Sequence, residues 1–237
     1  MELTVGIQER KEREKEHRKE EIVDAAQQLF LDKGLQATTM DEIAEVAELS
    51  KGTIYLYYKS KEDLYLAVVM RGMQTLYEMF DAKLVSEPDV VKGLMVLQET
   101  YLDFFHKHRS YFRMMHFLQT PQFHKQVSGE MKQEATLVNQ KIWNQAIEVI
   151  DRGIKQGILI ANLNASEIAI ILWSSATQLM MRMDTESERW KETMNIDLER
   201  VLRISNTLIL RSILTTEAKQ KNAALLDVQS PEIGAGN

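Results

Sequence analysis

At 237 residues the chain is long enough to bury a large core, and its 29 basic and 35 acidic side chains leave a net charge of −6, against any overall basic bias toward nucleic acid. It has no cysteine, which excludes disulfides, thiolate zinc sites and cysteine-based redox sensing. Ten glycines and three prolines punctuate a sequence rich in Leu, Met, Ala, Glu, Lys and Gln, so strands have little to work with and an all-α fold is expected.

No run of about 18 apolar residues occurs, and the N-terminus is a charged tract without an apolar segment behind it. The expectation is a cytoplasmic protein with no membrane partner. Residues 1–17 form an extension of alternating charge that cannot bury a face by itself; it reads either as a solvated helix or as an arm laid beside phosphates. From Glu20 the pattern changes to Ile22, Ala26, Leu29 and Phe30, an amphipathic helix that Gly34 should stop.

The stretch from Thr39 to Leu64 is dense in boundary signals. Thr39 followed three residues later by Glu42 is a capping box, and Met40, Ile43, Ala44 and Ala47 then give one buried helical face. Ser50 caps a second helix whose first residues, Lys51, Gly52 and Thr53, stand at its open end. In that helix Ile54 and Tyr58 point to the core, leaving Tyr55 and Tyr57 for solvent or a partner. Ser60 with Asp63 forms another box, so a third helix begins at Lys61. Two short helices and a tight turn of this kind are a helix-turn-helix, which presents its second helix to the major groove. Residues 20–66 hold 4 basic and 10 acidic side chains, yet Ser50 to Lys61 holds three lysines and no acid, a local positive strip where phosphates would lie.

T-T-M-D-E-I-A followed by S-K-G-T-I-Y-L-Y-Y-K-S-K-E-D-L resembles the DNA-binding signature of the TetR family of transcriptional regulators, over roughly Arg18 to Val68. The resemblance implies that Thr39, Lys51, Gly52, Thr53, Tyr55, Tyr57, Lys59 and Lys61 meet a double-stranded operator. It also implies a three-helix head over 18–66, followed by a helical effector-binding and dimerisation body over 67–216. One departure is the turn, which usually reads A-G-V-S and here is Ala47-Glu48-Leu49-Ser50. Without the glycine, Glu48 must either accept a positive φ at a cost of order 1 kcal/mol or shift the turn.

Leu64 to Leu84 continues as a long helix without proline, so any domain boundary is carried within a helix. Glu87-Pro88-Asp89 breaks the chain before a helix from Val90. Tyr101 to Phe123 concentrates Phe, Tyr, Met and His, and two readings stay open. It is either ordinary core or part of a malleable pocket for a small apolar effector, formed by Phe104, Met114, Phe117 and Trp143, with Arg113 and His116 to orient a polar end. His106-x-His108 cannot face one point on a helix and His116 and His124 lie across Pro121, so no metal site is expected, and no cofactor. Trp143, on a helix from Glu130 to Gln156, could be pocket wall or core.

The last helices, over 166–183 and 196–214, are apolar on more than one stripe and should meet both their own core and something else. The family resemblance makes that something a second subunit, with Ile168, Leu172, Leu179, Leu202, Leu208 and Ile209 at the seam of a homodimer. Asn195 is placed as the cap of the final helix, and residues 217–237 as a disordered tail. Two functions remain. One is a ligand-responsive repressor; the other is a helical ligand- or protein-binding module whose head does not regulate transcription. No Gly-rich phosphate loop, nucleophile elbow or H-E-x-x-H occurs, so catalytic residues are not assigned.

Overall fold

The structure is a computed structural model that describes residues 2–117 and 121–227. Eleven helices account for its regular structure: α1 Glu2–Ala37, α2 Met40–Val46, α3 Lys51–Tyr57, α4 Lys61–Leu84, α5 Val90–Lys107, α6 Arg109–Phe117, α7 Pro121–Gln126, α8 Gly129–Lys155, α9 Ala165–Met194, α10 Leu198–Ile213 and α11 Thr216–Lys221. The only β pairing among the described residues is an isolated antiparallel bridge between Leu159 and Leu214. The all-α expectation holds.

The chain divides into two compact units, one of Met1–Thr75 with His108–Gln140, the other of Leu76–Lys107 with Lys141–Asn237; two of the three divisions fall inside α4 and α8 and the third between α5 and α6. The unit containing the helix-turn-helix is thus larger than the expected head over 18–66. The reason is apolar packing. Ile22, Ala26 and Phe30 of α1, Ile43 of α2, Ile54 of α3 and Leu64 and Val68 of α4 share one core with Met114, Phe123, Val127 and Met131. Tyr65 lies at its centre. Its ring meets Phe30 edge-on at 5.2 Å and Phe123 at 5.5 Å, and its hydroxyl donates to the Met114 carbonyl at 3.4 Å.

Polar contacts fasten the same elements. Asp63 is buried and accepts the Ser128 N–H at 2.8 Å, while its own N–H donates to Ser60 Oγ at 3.0 Å. Half of the expected box at Ser60 therefore forms, and the Asp63 carboxylate is used across the unit instead. At Gly72 an added Cβ would stand 2.7 Å from Tyr111 Cγ, so the absence of a side chain lets α4 and α6 meet. Arg71 joins Asp24 at 2.6 Å, Gln27 at 2.9 Å and Glu20, tying α4 to α1.

In the second unit, α5 buries Leu94, Leu97, Tyr101, Phe104 and Phe105. The α9–α10 pair supplies Ala176, Met180 and Met183 from one helix and Leu198, Leu202 and Leu210 from the other. Tyr101 Oη and Thr177 Oγ1 hydrogen-bond at 2.8 Å in the interior, and burial pushes the Tyr101 phenol up to about 12. Two expectations are corrected here. Asn195 does not start α10; it ends α9 in the left-handed region at φ 53°, and Asp197 caps α10 by accepting the Glu199 N–H at 3.0 Å. Asparagine tolerates that conformation better than most residues, which favours it as a C-cap. Residues after Thr216 are not all irregular, since α11 forms and Ala218 and Leu226 are buried; residues 228–237 lie outside the described residues. The charged extension is continuous with the first helix, the helical one of its two alternatives, and the chain leaves helical geometry at Gly34, at φ 78°, where the stop was expected.

Candidate nucleic-acid interface

The helix-turn-helix is assembled by the local signals that its sequence carries. The Thr39 side chain accepts the Glu42 N–H at 3.3 Å while Glu42 accepts the Thr39 N–H at 2.8 Å, a complete capping box. A hydrogen bond from Lys33, then the backbone and side chain of Thr39, holds the Glu42 carboxyl down at about 2. The turn keeps its geometry without glycine because Glu48 adopts the left-handed region at φ 55°, the first of the two outcomes weighed from sequence. Ser50 then caps α3 by accepting the Thr53 N–H at 3.0 Å.

α3 buries Ile54, its C-cap Tyr58 is buried as well, and Lys51, Gly52, Tyr55 and Leu56 face outward. Tyr57, expected with Tyr55 to face solvent or a partner, is half-buried against the core of the unit, because it lies on the flank of the buried stripe. Thr53 is also half-buried, with its hydroxyl 2.8 Å from that of Ser50. Thr39 is exposed at the start of α2. The lysines are engaged within the chain. Lys51 Nζ donates to Asp41 at 2.8 Å, which raises its pKa, and Lys59 lies 3.4 Å from Glu130. Lys61 donates to the Thr38 carbonyl at 2.8 Å, tying the start of α4 to the end of the first helix segment. Cations of the N-terminal extension are likewise taken up along the helix, as in Arg10–Glu14 at 2.9 Å and Arg18–Glu21 at 2.7 Å.

Leu56 was missed by the sequence reading. It is the most exposed large apolar side chain among the described residues, at 83%. Its position one residue after Tyr55 and four after Gly52 on a helical wheel would have revealed it.

The residues expected to hold an effector are divided between the two units. Met114 is buried in the core around Tyr65, Arg113 is exposed, and the His116 ring stands edge-on to Phe112 at 4.5 Å, all in the first unit. Phe104 is fully buried in the second unit, where Trp143 meets Trp173 edge-on at 5.5 Å. The Phe117 side chain lies outside the described residues. Among the described residues no three His, Asp or Glu side chains converge as a metal site would need, and no helix is long and apolar enough to cross a membrane.

The seam residues also separate. Ile168 and Leu202 are buried in their own unit and offer little to a second subunit, because each sits on the stripe that faces the local core. Leu172, Leu179 and Ile209 are half-buried, and Leu208 is exposed at 58% together with Ile171, which lies on the apolar stripe read from sequence, and Ile170, which was not selected.

Comparison with known proteins follows the same division. The profile of the family described as bacterial regulatory proteins, tetR family, matches residues 22–68. The transcriptional activator FasR of Mycolicibacterium smegmatis is 34% identical over 90 residues, 38% of this chain and 41% of that protein. The uncharacterized regulator YhgD of Bacillus subtilis is 29% identical over 147 residues, 60% of this chain and 69% of that one. The chain therefore spans less than half the length of FasR. Over 81% of this chain and 98% of the other, the fold resembles that of the regulator FadR of Bacillus subtilis, solved with stearoyl-CoA, at a TM-score of 0.62 and 17% identity. That likeness shows the fold. With the capped helix-turn-helix in place, residues 22–68 form a TetR-family helix-turn-helix domain, the DNA-binding part of a family of transcriptional regulators that are not enzymes.

Proposed function

We propose that the protein is a homodimeric repressor that binds a double-stranded DNA operator in the cytoplasm and is released from it by a small, largely apolar effector. The observation that carries this reading is the outer face of α3. A helix anchored by the buried Ile54, with buried Tyr58 at its C-cap and Tyr57 against the same core, projects Lys51, Gly52 and Tyr55 together, beside an exposed Lys59 and with no carboxylate on α3 itself. Tyr55 and Lys51 reach base edges in this reading, and Thr39, Thr53, Tyr57, Lys59 and Lys61 position the backbone of the duplex.

Dimerisation is assigned to the α9–α10 hairpin. The helices run antiparallel past the contact of Ser175 and Ser205 at 3.1 Å, which brings Ile171 and Leu208 to one level on the uncovered side. Two such hairpins would bury these side chains with Ile170, Leu172, Leu179 and Ile209. The effector is assigned to the second unit. There Gln98 Nε2, Thr100 Oγ1, Gln145 Oε1 and Asn206 Oδ1 are buried without a protein hydrogen-bond partner, and Tyr101, Phe104, Trp143 and Trp173 supply apolar surface. A chain-like acyl group with a polar end is one ligand of this character, and FadR of Bacillus subtilis was solved with such a molecule.

Selection from random-sequence duplexes at moderate salt tests the DNA reading, and a preferred sequence is expected. Stearoyl-CoA and shorter acyl thioesters, titrated while tryptophan fluorescence and duplex binding are followed together, test the effector. A 100-fold loss of DNA affinity requires about 2.7 kcal/mol of coupling, and DNA must weaken the ligand by the same factor. Absence of any sequence preference overturns the repressor; ligand binding that leaves DNA affinity unchanged overturns the assigned effector site.

A further inference from the structure

Leu56 is an anomaly on a surface of cations and hydroxyls. Its 83% exposure follows from local geometry, since a helical side chain leans toward the N-terminus over the residue four positions earlier, and that residue is Gly52. With no side chain at Gly52, nothing screens one flank of Leu56. An added Cβ there would meet only Ser50 Oγ, at 3.7 Å, so space around it is open. Leu56 contributes almost nothing to the core of its unit, whereas Ile54, two residues earlier on the same helix, is fully buried.

Leucine can neither hydrogen-bond a base nor pair with a phosphate. In the major groove the apolar feature that distinguishes one base pair from another is the C5-methyl group of thymine. Resting on the operator reading above, we infer that Leu56 reads a thymine methyl in each operator half-site. It does so beside Tyr55, with the bare backbone at Gly52 letting the helix approach the base edges closely. Leu56 is thus a specificity-determining residue: it favours thymine at one position and leaves the hydrogen-bonding edges to its neighbours.

The test uses the duplex enriched by random-sequence selection and replaces its thymines one at a time by uracil, which removes the methyl and keeps every hydrogen-bonding group. One position per half-site should weaken binding by the wild-type protein about 4-fold, the value of burying one methyl-sized group. Leu56→Ala, at an exposed helical site, should fold normally by circular dichroism, bind the thymine duplex more weakly, and lose the thymine-to-uracil difference. Wild-type binding that is indifferent to uracil everywhere, or a Leu56→Ala variant that keeps the full difference, overturns the inference while leaving the operator reading standing. Failure to enrich any duplex overturns both.

Discussion

The helix-turn-helix and the α9–α10 hairpin are built alike at their turns and face outward in opposite ways. Each joins two helices through a non-glycine residue in the left-handed region, Glu48 at φ 55° and Asn195 at φ 53°. Each also starts its second helix on a side-chain cap, Ser50 for α3 and Asp197 for α10. Outside the first pair stand Lys51, Tyr55 and Leu56; outside the second stand Ile170, Ile171 and Leu208. The turn chemistry brings two helices together, and the residues left on the uncovered stripe decide what sort of partner they meet. A mixed stripe of cation, phenol and one leucine suits the grooved, charged surface of a duplex, whereas a continuous aliphatic stripe suits a copy of itself.

The largest expected effect separates the two sides of the hairpin. Leu202→Glu places a charge in the interior of the second unit and should cost more than about 4 kcal/mol, seen as loss of helicity. Leu208→Glu, on the exposed stripe, should keep the circular dichroism spectrum and convert the dimer to monomer in sedimentation. A Leu208→Glu protein that stays dimeric breaks the comparison, since the aliphatic stripe would then have no copy to cover.

In the first unit Asp63→Ala removes the acceptor of the Ser128 N–H and should destabilise by about 1–3 kcal/mol in chemical unfolding, because the amide is left buried without a partner. A protein unaffected by that change would mean that residues 108–140 do not steady the helix-turn-helix through this bond. Acid sharpens the comparison further. Glu42 has its folded pKa depressed from the ordinary 4.5 to about 2, so its contribution is present above about 4.5 and is lost as pH falls toward 2. Glu42→Gln should flatten the dependence of stability on pH across that window, in titrations of the first unit's helicity.

The smallest effect belongs to the turn itself. Glu48→Gly relieves a left-handed side chain and should stabilise by up to about 1 kcal/mol, measured as a small rise in Tm. No comparable gain is expected at Asn195, whose side chain already suits that conformation.

What could be read from sequence in these regions divides by reach along the chain. The caps at Thr39 and Ser50, the break at Gly34, the start of α4 and the buried pair Ile54 and Tyr58 depend on residues within four positions of one another, and all were legible. The destination of the Asp63 carboxylate, 65 residues away at Ser128, was not. Nor was the partnership of Phe123 with Tyr65, because an aromatic at helical spacing has the same pattern whichever core receives it. On α9 and α10 the stripes were visible but not their assignment. Ile168 and Leu202 resemble seam residues in sequence and are interior ones in the fold, while Ile170 and Ile171 lie outward. Tyr57 shows the same limit within a single turn, since one step of about 100° separates an exposed residue from a flanking one.

The ion pair of Lys51 with Asp41 gives the duplex surface a built-in competitor. In the proposed reading a base-edge acceptor that takes this ammonium displaces a carboxylate already 2.8 Å away, so contact there is an exchange of one acceptor for another and not the capture of a lysine surrounded only by water. The displaced Asp41 is left facing the polyanion, which penalises loose encounters in which no base contact compensates for it. Random DNA should therefore be held less tightly than the three lysines between Ser50 and Lys61 would suggest, and residence on wrong sites shortened, so that the acidic residue on α2 quickens the search for the right one.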